Sequence, residues 1–412
     1  MPPPLLLLIG SGPEPMRRSM LHSAATDTPL VLIDDAEPTW QIPYVVDYEV
    51  TDLRSLSGVV RAAETLARRW DIGGVLTFDE HHLMAAARLG ERIGLPGNSV
   101  TSILATRDKA TSRYRFAAAD VPSAAFTWVH SVAAAASAVE RLGDFPVVLK
   151  PSAHAGGTGV VRVNTLADLP AGWDVASEGA TRQGAEGQGV LLEEYLNGGE
   201  VAVETVTEHG DTTAIAVIRK NVAFAPYFEA SRHLVTASDP LLAQVAPFAA
   251  AAVRALDITH GVSDVEMKLT TTGPRLIEVN ACLPGDRISD LVHLATGVDL
   301  TRAAAALASG NRPNLERTRD RSATIGMIYP PDDGVVAGLA LRRGDNRHLK
   351  TLRWLCDTGD YVTLSPSPQT PNSSRAGFAI VTGDTPDQAR THLDDVLDRA
   401  VVNLGSAQSH TA

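Results

Sequence analysis

Short apolar runs alternate with stretches of helical spacing over the first hundred residues. Apolar runs typical of buried strands cover 5–9, 30–33 and 74–78, and apolar residues at helical spacing cover 56–70 and 82–93. Strands that alternate with helices in this way form a parallel sheet with helices on both faces. The pattern predicts a Rossmann-like α/β domain over residues 1–105.

A small turn, Gly10-Ser11-Gly12, follows the first of these strands. A dinucleotide-binding turn would carry a third glycine three residues after Gly12, where this sequence has Pro15. The pattern therefore favours an ordinary tight turn, and an NAD(P)-dependent oxidoreductase is the weaker alternative.

Three further units are predicted downstream. Residues 106–190 should contain a helix (107–119), a strand (145–150), a small-residue loop (154–159) and a strand (159–163), while 171–189 is expected to be a variable excursion. Residues 191–318 should contain strands near 201–208, 213–220, 263–270 and 275–279, with helices at 240–256, 286–296 and 301–309. Strands at 323–329, 361–364 and 376–382, followed by a helix from 384–386, predict a small α+β cap over 319–412.

Side chains that carry oxygen atoms interrupt two predicted strands that are otherwise largely apolar. Glu266 lies on the first strand, and Glu278 and Asn280 lie two residues apart on the second, so those two share a face. In an antiparallel pair Glu266 can lie opposite them. Because Mg²⁺ prefers carboxylate and amide oxygens, the pattern favours a magnesium site over a solvated strand face.

Two weaker signals precede this one. Lys150 ends an apolar strand and is followed by a loop with Gly156, Gly157 and Gly159, which suits phosphate binding but also an ordinary surface hairpin. The lysine precedes the glycines, so this is not a Walker A loop. The segment 193–200, EEYLNGGE, offers a strand end with an aromatic residue and acids that could bind a nucleoside. Taken alone, that segment is more typical of a plain strand–turn–strand.

Length, charge and cysteine content limit the classes of protein. A chain of 412 residues should divide into two to four domains, and a net charge of −12 argues against a large nucleic-acid interface. Cys282 and Cys356 are the two cysteines, which favours a reduced chain. The apolar start is short and lacks a preceding basic residue, and no run reaches the roughly 18 residues of a membrane span. We therefore expect a cytoplasmic protein that binds neither membranes nor nucleic acid.

The order of these motifs resembles the ATP-grasp superfamily, and within it the carboxylate–amine ligases that include the L-amino-acid (dipeptide) ligases. The resemblance rests on the segments 107–126 with Lys109, 145–160 (FPVVLKPSAHAGGTGV), 193–200 and 258–280. It implies an ATP-grasp fold with a Rossmann-like pre-ATP-grasp domain (1–105), two ATP-grasp subdomains (106–190 and 191–318) and a C-terminal α+β lobe (319–412).

The resemblance also implies a role for each matching residue. Lys109 and Lys150 would hold the ATP phosphates under the loop of Gly156, Gly157 and Gly159. Glu193, Tyr195 and Leu196 would frame the adenine, and Glu200 would bind the ribose. Glu266, Glu278 and Asn280 would bind Mg²⁺, for which Mn²⁺ could substitute. Glu229, Arg232 and His233 lie where the family places a substrate-contacting stretch, although His233 is as often structural.

One position departs from the family pattern. The family usually has an arginine two residues after the metal-binding asparagine, and this chain has Cys282 there. A neutral thiol cannot supply the forked, charged hydrogen bonds of a guanidinium. Arg287, five residues further on, is therefore the predicted replacement. Cys282 as a nucleophile has no adjacent base to support it.

These observations predict an enzyme that uses ATP and Mg²⁺ to activate a small carboxylate as an acyl phosphate and to join it to an amine. The expected products are an amide or peptide, ADP and phosphate, and the resemblance implies a homodimer. Two alternatives stay open: an ATP-grasp enzyme with another acceptor (bicarbonate, a hydroxyl or a thiol) and a non-catalytic ATP-binding module.

Overall fold

The first unit of the chain is a parallel sheet with helices around it. The structure is a computed structural model that describes residues 4–152, 157–182, 189–364 and 375–405. The strands of the first unit are β1 (Leu5–Ile9), β2 (Leu30–Asp34), β3 (Val45–Val50) and β4 (Ile72–Thr77), in the order β3-β2-β1-β4. Its helices are α1 (Glu14–Ala24), α2 (Leu56–Ala67), α3 (Leu83–Ile93) and α4 (Val100–Arg107). All pairings are parallel, so the prediction of an α/β unit is confirmed.

The turn after β1 is closed by side chains of this unit. The backbone N–H of Ser11 and its hydroxyl both donate to the carboxylate of Asp34, and the amide of Gln41 donates to Ser11 Oγ at 2.8 Å. Gly12 has φ +69, a left-handed conformation that favours glycine. A Cβ added there would lie 3.0 Å from Cγ of Arg17, so the glycine also leaves room for the stem of Arg17 to cross the turn.

The second unit is a four-stranded sheet in the order β5-β8-β6-β7. It consists of α5 (Lys109–Ala118), β5 (Phe126–Val129), α6 (Val132–Leu142), β6 (Val147–Pro151), β7 (Val161–Val163), α7 (Leu169–Arg182) and β8 (Val190–Glu194). Because β8 pairs with β5 and β6, the predicted boundary at 190 falls within this sheet.

Helix α7 overturns the expectation of a variable excursion over residues 171–182, and residues 183–188 of that predicted excursion lie outside the described residues. Leu169 and Ala176 are fully buried against the sheet, and Trp173 packs beside them, which is helical spacing. Two glycines hid this pattern, but both are packing positions. A Cβ on Gly172 would lie 2.6 Å from Val163, and one on Gly179 would lie 2.8 Å from the backbone of Gly159.

The predicted helix at 107–119 is α5, which Asp108 separates from Arg107, the last residue of α4. The side chain of Asp108 accepts from the backbone N–H of Thr111 at 2.6 Å and so caps α5. Lys109 therefore stands at the first residue of α5. Its backbone N–H donates to the carbonyl of Ser152 at 2.9 Å, which ties the start of the helix to the end of β6.

An eight-stranded sheet joins the rest of the chain. Its order is β13-β12-β9-β10-β11-β14-β18-β16. The third unit supplies β9 (Gly199–Glu208), β10 (Asp211–Ala223), β11 (Glu229–Thr236), α8 (Leu242–Ala255), β12 (Gly261–Thr270), β13 (Gly273–Asn280), α9 (Ile288–Thr296) and α10 (Leu300–Ala308). The fourth supplies β14 (Ser322–Ile328), β15 (Gly334–Leu341), β16 (Leu349–Trp354), β17 (Tyr361–Val362), β18 (Gly377–Gly383), α11 (Pro386–Arg399) and β19 (Ala400–Leu404).

The tail is thus continuous with the third unit, since β14 pairs directly with β11. A small second sheet, β17-β15-β19, lies beside it. The largest core cluster combines buried residues of β1 and β2 with residues of β9, β10 and α9, so it fixes the first unit against one face of the large sheet. No helix within the described ranges is long and apolar enough to cross a membrane.

Candidate active site

A cavity of about 430 Å³ lies where the four units meet. The register of the large sheet builds its floor: Lys220 and Lys268 lie opposite Glu200, Glu278 lies opposite Glu266, and Asn280 lies opposite Asp264. Side chains opposite one another in register share a sheet face. Charged residues that are far apart in sequence are therefore brought onto one surface.

The candidate metal ligands are adjacent on that surface. Glu266, Glu278 and Asn280 all line the cavity, on β12 and β13. No cluster of three or more His, Cys, Asp or Glu side chains that could enclose a metal occurs in the parts of the chain that the structure describes. Two carboxylates and an amide nevertheless fit Mg²⁺, which is commonly held by one or two carboxylates and completed by phosphate oxygens and water.

Lysines lie directly against these carboxylates. Lys109 Nζ is 2.9 Å from Glu278 Oε1, and Lys220 Nζ is 2.6 Å from Glu266 Oε1. Burial favours the neutral form of Lys220, but Glu266, Asp264 and Glu200 outweigh it and raise its pKa. Positive charge is therefore held beside both acidic metal-ligand candidates.

Glu204 and Asp264 form a buried carboxyl pair on the same face of the sheet. They lie opposite each other on β9 and β12, and Glu204 is fully buried. Burial, together with the neighbouring carboxylates, raises the pKa of both groups. Because burial and like charge favour the neutral form of both carboxyls, this pair carries less negative charge than two exposed carboxylates would.

Lys150 belongs to a buried cluster of three charges. Its Nζ lies 2.6 Å from Glu193 Oε2, and Arg113 Nη2 lies 3.1 Å from Glu193 Oε1. Arg113 also donates to the carbonyl of Ile277, which joins α5 to β13. Burial lowers the pKa of Lys150 to about 8, and the attraction of Glu193 opposes this shift. Burial likewise opposes ionisation of Glu193, yet Arg113 and Lys150 lower the pKa of its carboxyl.

This pKa predicts an alkaline limb in the pH profile. Below about 8 Lys150 carries a charge that would attract phosphate, and above this value it loses that charge. We expect kcat/KM for ATP to fall as the pH rises through about 8, approaching tenfold per pH unit. In Lys150→Arg the guanidinium stays charged, so the limb should disappear even if the overall rate is lower. An alkaline limb of the same shape in this variant would contradict the assignment.

The candidate phosphate loop is described in part. Gly156 lies outside the described residues. Gly157 lines the cavity and has φ +73, and Gly159 has φ +74. A Cβ on Gly159 would lie 2.8 Å from Cγ of Pro151, so close packing also requires glycine there.

The candidate adenine and ribose residues line one end of the cavity. Tyr195, Leu196 and Glu200 face it, and a second cavity of about 530 Å³ shares Tyr195 and Glu200. The guanidinium of Arg162 lies 5.1 Å from the centre of the Tyr195 ring. Glu200 Oε2 lies 2.9 Å from Lys268 Nζ. An aromatic ring beside a carboxylate suits a nucleoside, whose base stacks and whose hydroxyls donate.

The residues at the other end form a second charged network. Arg375 Nε lies 2.6 Å from Glu229 Oε1, and its Nη1 lies 2.6 Å from Asp286 Oδ1. His233 Nε2 lies 3.0 Å from Asp286 Oδ2, and the Tyr329 hydroxyl donates to Glu229 at 3.0 Å. Burial opposes ionisation of Asp286, but Arg375 and His233 lower its pKa. Glu229 and His233 both line the cavity.

Two of the predicted arginines do not line the cavity. Arg232 precedes His233 on β11, and neighbouring strand residues point to opposite faces, so Arg232 contacts Asp394 at 2.6 Å instead. Arg287 is held by Asp290 and donates to the carbonyl of Pro15 at 2.7 Å. The expectation that Arg287 reaches the space beside Cys282 is therefore not met by this geometry.

Cys282 itself lines the cavity, and burial raises the pKa of its thiol. A thiol with a raised pKa is a poor nucleophile, because the thiolate is the reactive form. The geometry gives no support to nucleophilic chemistry at Cys282.

Several residues that line the cavity or contact its lysines were not predicted from the sequence. Arg113 carried a usable signal, since it lies four residues after Lys109 and so shares its helix face. Lys268 also had one, because it interrupts an apolar strand two residues after Glu266, and Lys220 follows an apolar run at 214–218. Arg17 and Arg375 had none, since only the packing of the first and fourth units against the large sheet brings them to the cavity.

The architecture of the sheets and units is that of the ATP-grasp fold. Residues 143–290 match the ATP-grasp domain family, and the chain has the ATP-grasp fold. An L-amino acid ligase from Bacillus licheniformis superposes with a TM-score of 0.81 at 19% identity, covering 98% of this chain and 100% of that one. The expected fold class and the family resemblance are therefore confirmed.

Two curated relatives are similar over much of the chain. Uncharacterized protein y4rH from Sinorhizobium fredii is 27% identical, and the match covers 78% of this chain and 66% of that protein. Human carnosine synthase 1 is 28% identical, and the match covers 78% of this chain and 42% of that protein. The chain thus spans less than two thirds of either relative. Amide-forming ligases are among the ATP-grasp proteins that it resembles.

Proposed function

We propose that this protein is an ATP- and Mg²⁺-dependent ligase that activates a small carboxylate and joins it to an amine. The observation that carries the proposal is the floor of the cavity, where two facing carboxylates and an amide lie beside Lys109 and within the same cavity as Lys150. Such a surface suits a triphosphate with its metal. The charged network of Glu229, Asp286, His233 and Arg375 at the other end suits small polar substrates.

The chemistry proceeds in two displacements. An oxygen of the substrate carboxylate attacks the γ-phosphorus of ATP, the bond from that phosphorus to the bridging oxygen of ADP breaks, and an acyl phosphate forms. The amine nitrogen then attacks the acyl carbon, the carbon–oxygen bond to phosphate breaks, and the nitrogen releases a proton to solvent. The products are an amide, ADP and phosphate.

The residues of this chain position and stabilise these groups. Lys109 and Lys150 would bind the phosphates and offset the charge that spreads over the phosphoryl oxygens. Arg113 and Glu193 hold Lys150 in place. Glu266, Glu278 and Asn280 would hold Mg²⁺, which polarises and neutralises phosphoryl oxygens when bound. Walls from all four units would keep water away from the acyl phosphate.

A different acceptor would use the same nucleotide end of the cavity. Bicarbonate, a hydroxyl or a thiol could replace the amine without changing any lysine or carboxylate named above. Glu229 and Asp286 are two carboxylates on a single guanidinium, Arg375, and this surplus of carboxylate favours an acceptor that carries an ammonium group over bicarbonate. A non-catalytic ATP-binding module would bind the nucleotide and release no ADP.

The test is phosphate release by the purified chain with Mg²⁺ and ATP against a grid of amino-acid pairs, with mass spectrometry of the products. We expect at least one pair to stimulate phosphate release and to yield the mass of the two substrates minus water. Stimulation by bicarbonate without an amide product would favour the other acceptor. Nucleotide binding without stimulation by any compound would contradict the proposal of a ligase.

A further inference from the structure

Arg17 differs from the other basic residues that line the cavity. Eight are described there, and seven lie within 4 Å of a carboxylate: His81, Lys109, Lys150, Lys220, His233, Lys268 and Arg375. Arg17 is the one described cavity base without such a partner. Its Nη1 contacts the sulfur of Met20 at 3.1 Å, which is a weak acceptor.

The nearby acids are already engaged elsewhere. Asp79 Oδ1 lies 2.7 Å from His81 Nδ1, and Asp286 is held by His233 and Arg375. Burial lowers the pKa of the Arg17 guanidinium, and Asp79 and Asp286 oppose that shift from beyond ion-pair distance. A partly buried guanidinium therefore faces the cavity with most of its donors available, which is costly unless an anion pairs with it.

The position of Arg17 indicates which anion this is. It extends from α1 of the first unit and lies near Cys282, whereas Lys109 and Lys150 extend from α5 and β6 of the second unit. The second-unit lysines and the paired carboxylates of the floor serve the nucleotide in the function proposed above. A guanidinium that reaches the same cavity from another unit matches the planar fork of a carboxylate, to which it can donate two parallel hydrogen bonds.

We propose that Arg17 binds a carboxylate of the substrate, from the wall that the first unit contributes to the cavity. This rests on the proposed function and deepens it, since it makes a carboxylate-bearing small molecule the ligand of that wall. The turn at Gly12 supports the arrangement, because a Cβ there would lie 3.0 Å from Cγ of Arg17, which is tighter than an ordinary contact.

A measurement of ligand binding tests the role of Arg17 independently of the ligase reaction. The probes are the twenty common L-amino acids and β-alanine, each paired with its carboxamide, added to the full chain with Mg²⁺ and a non-hydrolysable ATP analogue. Thermal stabilisation and titration calorimetry give the affinity of each probe. We expect at least one amino acid to bind the wild type and its carboxamide to bind at least about tenfold more weakly.

Arg17→Gln should weaken binding of that amino acid by about tenfold or more, and Arg17→Lys should weaken it less. Affinity for the ATP analogue should stay within about twofold in both variants. Arg18→Gln is the matched control, because Arg18 is the next residue of α1 and pairs with Glu14 on the surface at 2.7 Å. It should bind every probe as the wild type does.

Three results would overturn the proposal: no carboxylate-dependent binding to the wild type, unchanged binding in Arg17→Gln, or a matching loss of affinity for the ATP analogue. The last would assign Arg17 to the phosphates instead. The ligase proposal is tested by the mass of the product, and the Arg17 proposal is tested by binding of the probes. A negative result for one proposal is therefore distinguishable from a negative result for the other.

Discussion

Replacing Glu278 with glutamine should reduce ADP formation by at least about a hundredfold. Glu278 faces Glu266 across β12 and β13, and its Oε1 lies 2.9 Å from Lys109 Nζ. The amide keeps the shape of the side chain but removes the negative charge that a divalent cation requires. A metal ion supplies several kcal/mol of transition-state stabilisation, and each 1.36 kcal/mol corresponds to about tenfold in rate.

The measurement is ADP release over a range of Mg²⁺ concentrations, with Glu64→Gln as the matched control. Glu64 is an exposed residue of α2 that pairs with Arg92 at 2.6 Å, so its variant should match the wild type. Circular dichroism of both variants establishes that they are folded. Unchanged turnover in Glu278→Gln at limiting Mg²⁺ would sink the metal assignment.

Lys150→Met should be the second severe variant, with kcat/KM for ATP reduced by about a hundredfold or more. Lys150 is buried and would lie against the phosphates, where a lost positive charge is poorly replaced by solvent. The fold should survive, because Arg113 remains as a partner for the buried carboxylate of Glu193 at 3.1 Å. Methionine has a similar length and suits a buried position.

Nucleotide affinity and thermal stability together test this second prediction. Lys350→Met is the matched control, since Lys350 is exposed on β16. We expect the control to keep wild-type kinetics and Lys150→Met to keep a cooperative unfolding transition while ATP turnover is lost. If Lys150→Met unfolds, the cluster of Arg113, Lys150 and Glu193 serves stability first; if it turns over ATP normally, Lys150 has no part in the reaction.

The strands β12 and β13, which carry the candidate metal ligands, show what the local sequence pattern can predict. The two-residue spacing of Glu278 and Asn280 requires a common face in any strand, and the turn at 271–274 predicts an antiparallel partner. The structure has this pairing, with Glu266 opposite Glu278. Helix α7 shows the opposite case, because its glycines led to the prediction of a loop. The close contacts that require these glycines, such as that of Gly179 with Gly159, involve residues that are distant in sequence.

Cys282, which stands where the family usually has an arginine, shows that local sequence is also insufficient within the site. The sequence identifies the missing arginine, and proximity along the chain pointed to Arg287. The structure places Arg287 against Asp290 and Pro15, while Arg17 and Arg375 reach the cavity from the two ends of the chain. No spacing rule relates residue 17 or 375 to residue 282.

The sequence by itself determined the alternating α/β pattern of the first unit, the strand pair with its candidate metal ligands, the position of Lys150 at a strand end and the order of motifs that resembles the ATP-grasp superfamily. These depend on neighbours within about one element, where the periods of helix and strand decide which side chains share a face. Only the tertiary structure decided which charges meet: Lys109 with Glu278, Lys220 with Glu266 and Arg375 with Asp286, while Arg17 pairs with no carboxylate of the described residues. Such pairings follow from the packing of whole units against the large sheet, which no local pattern encodes.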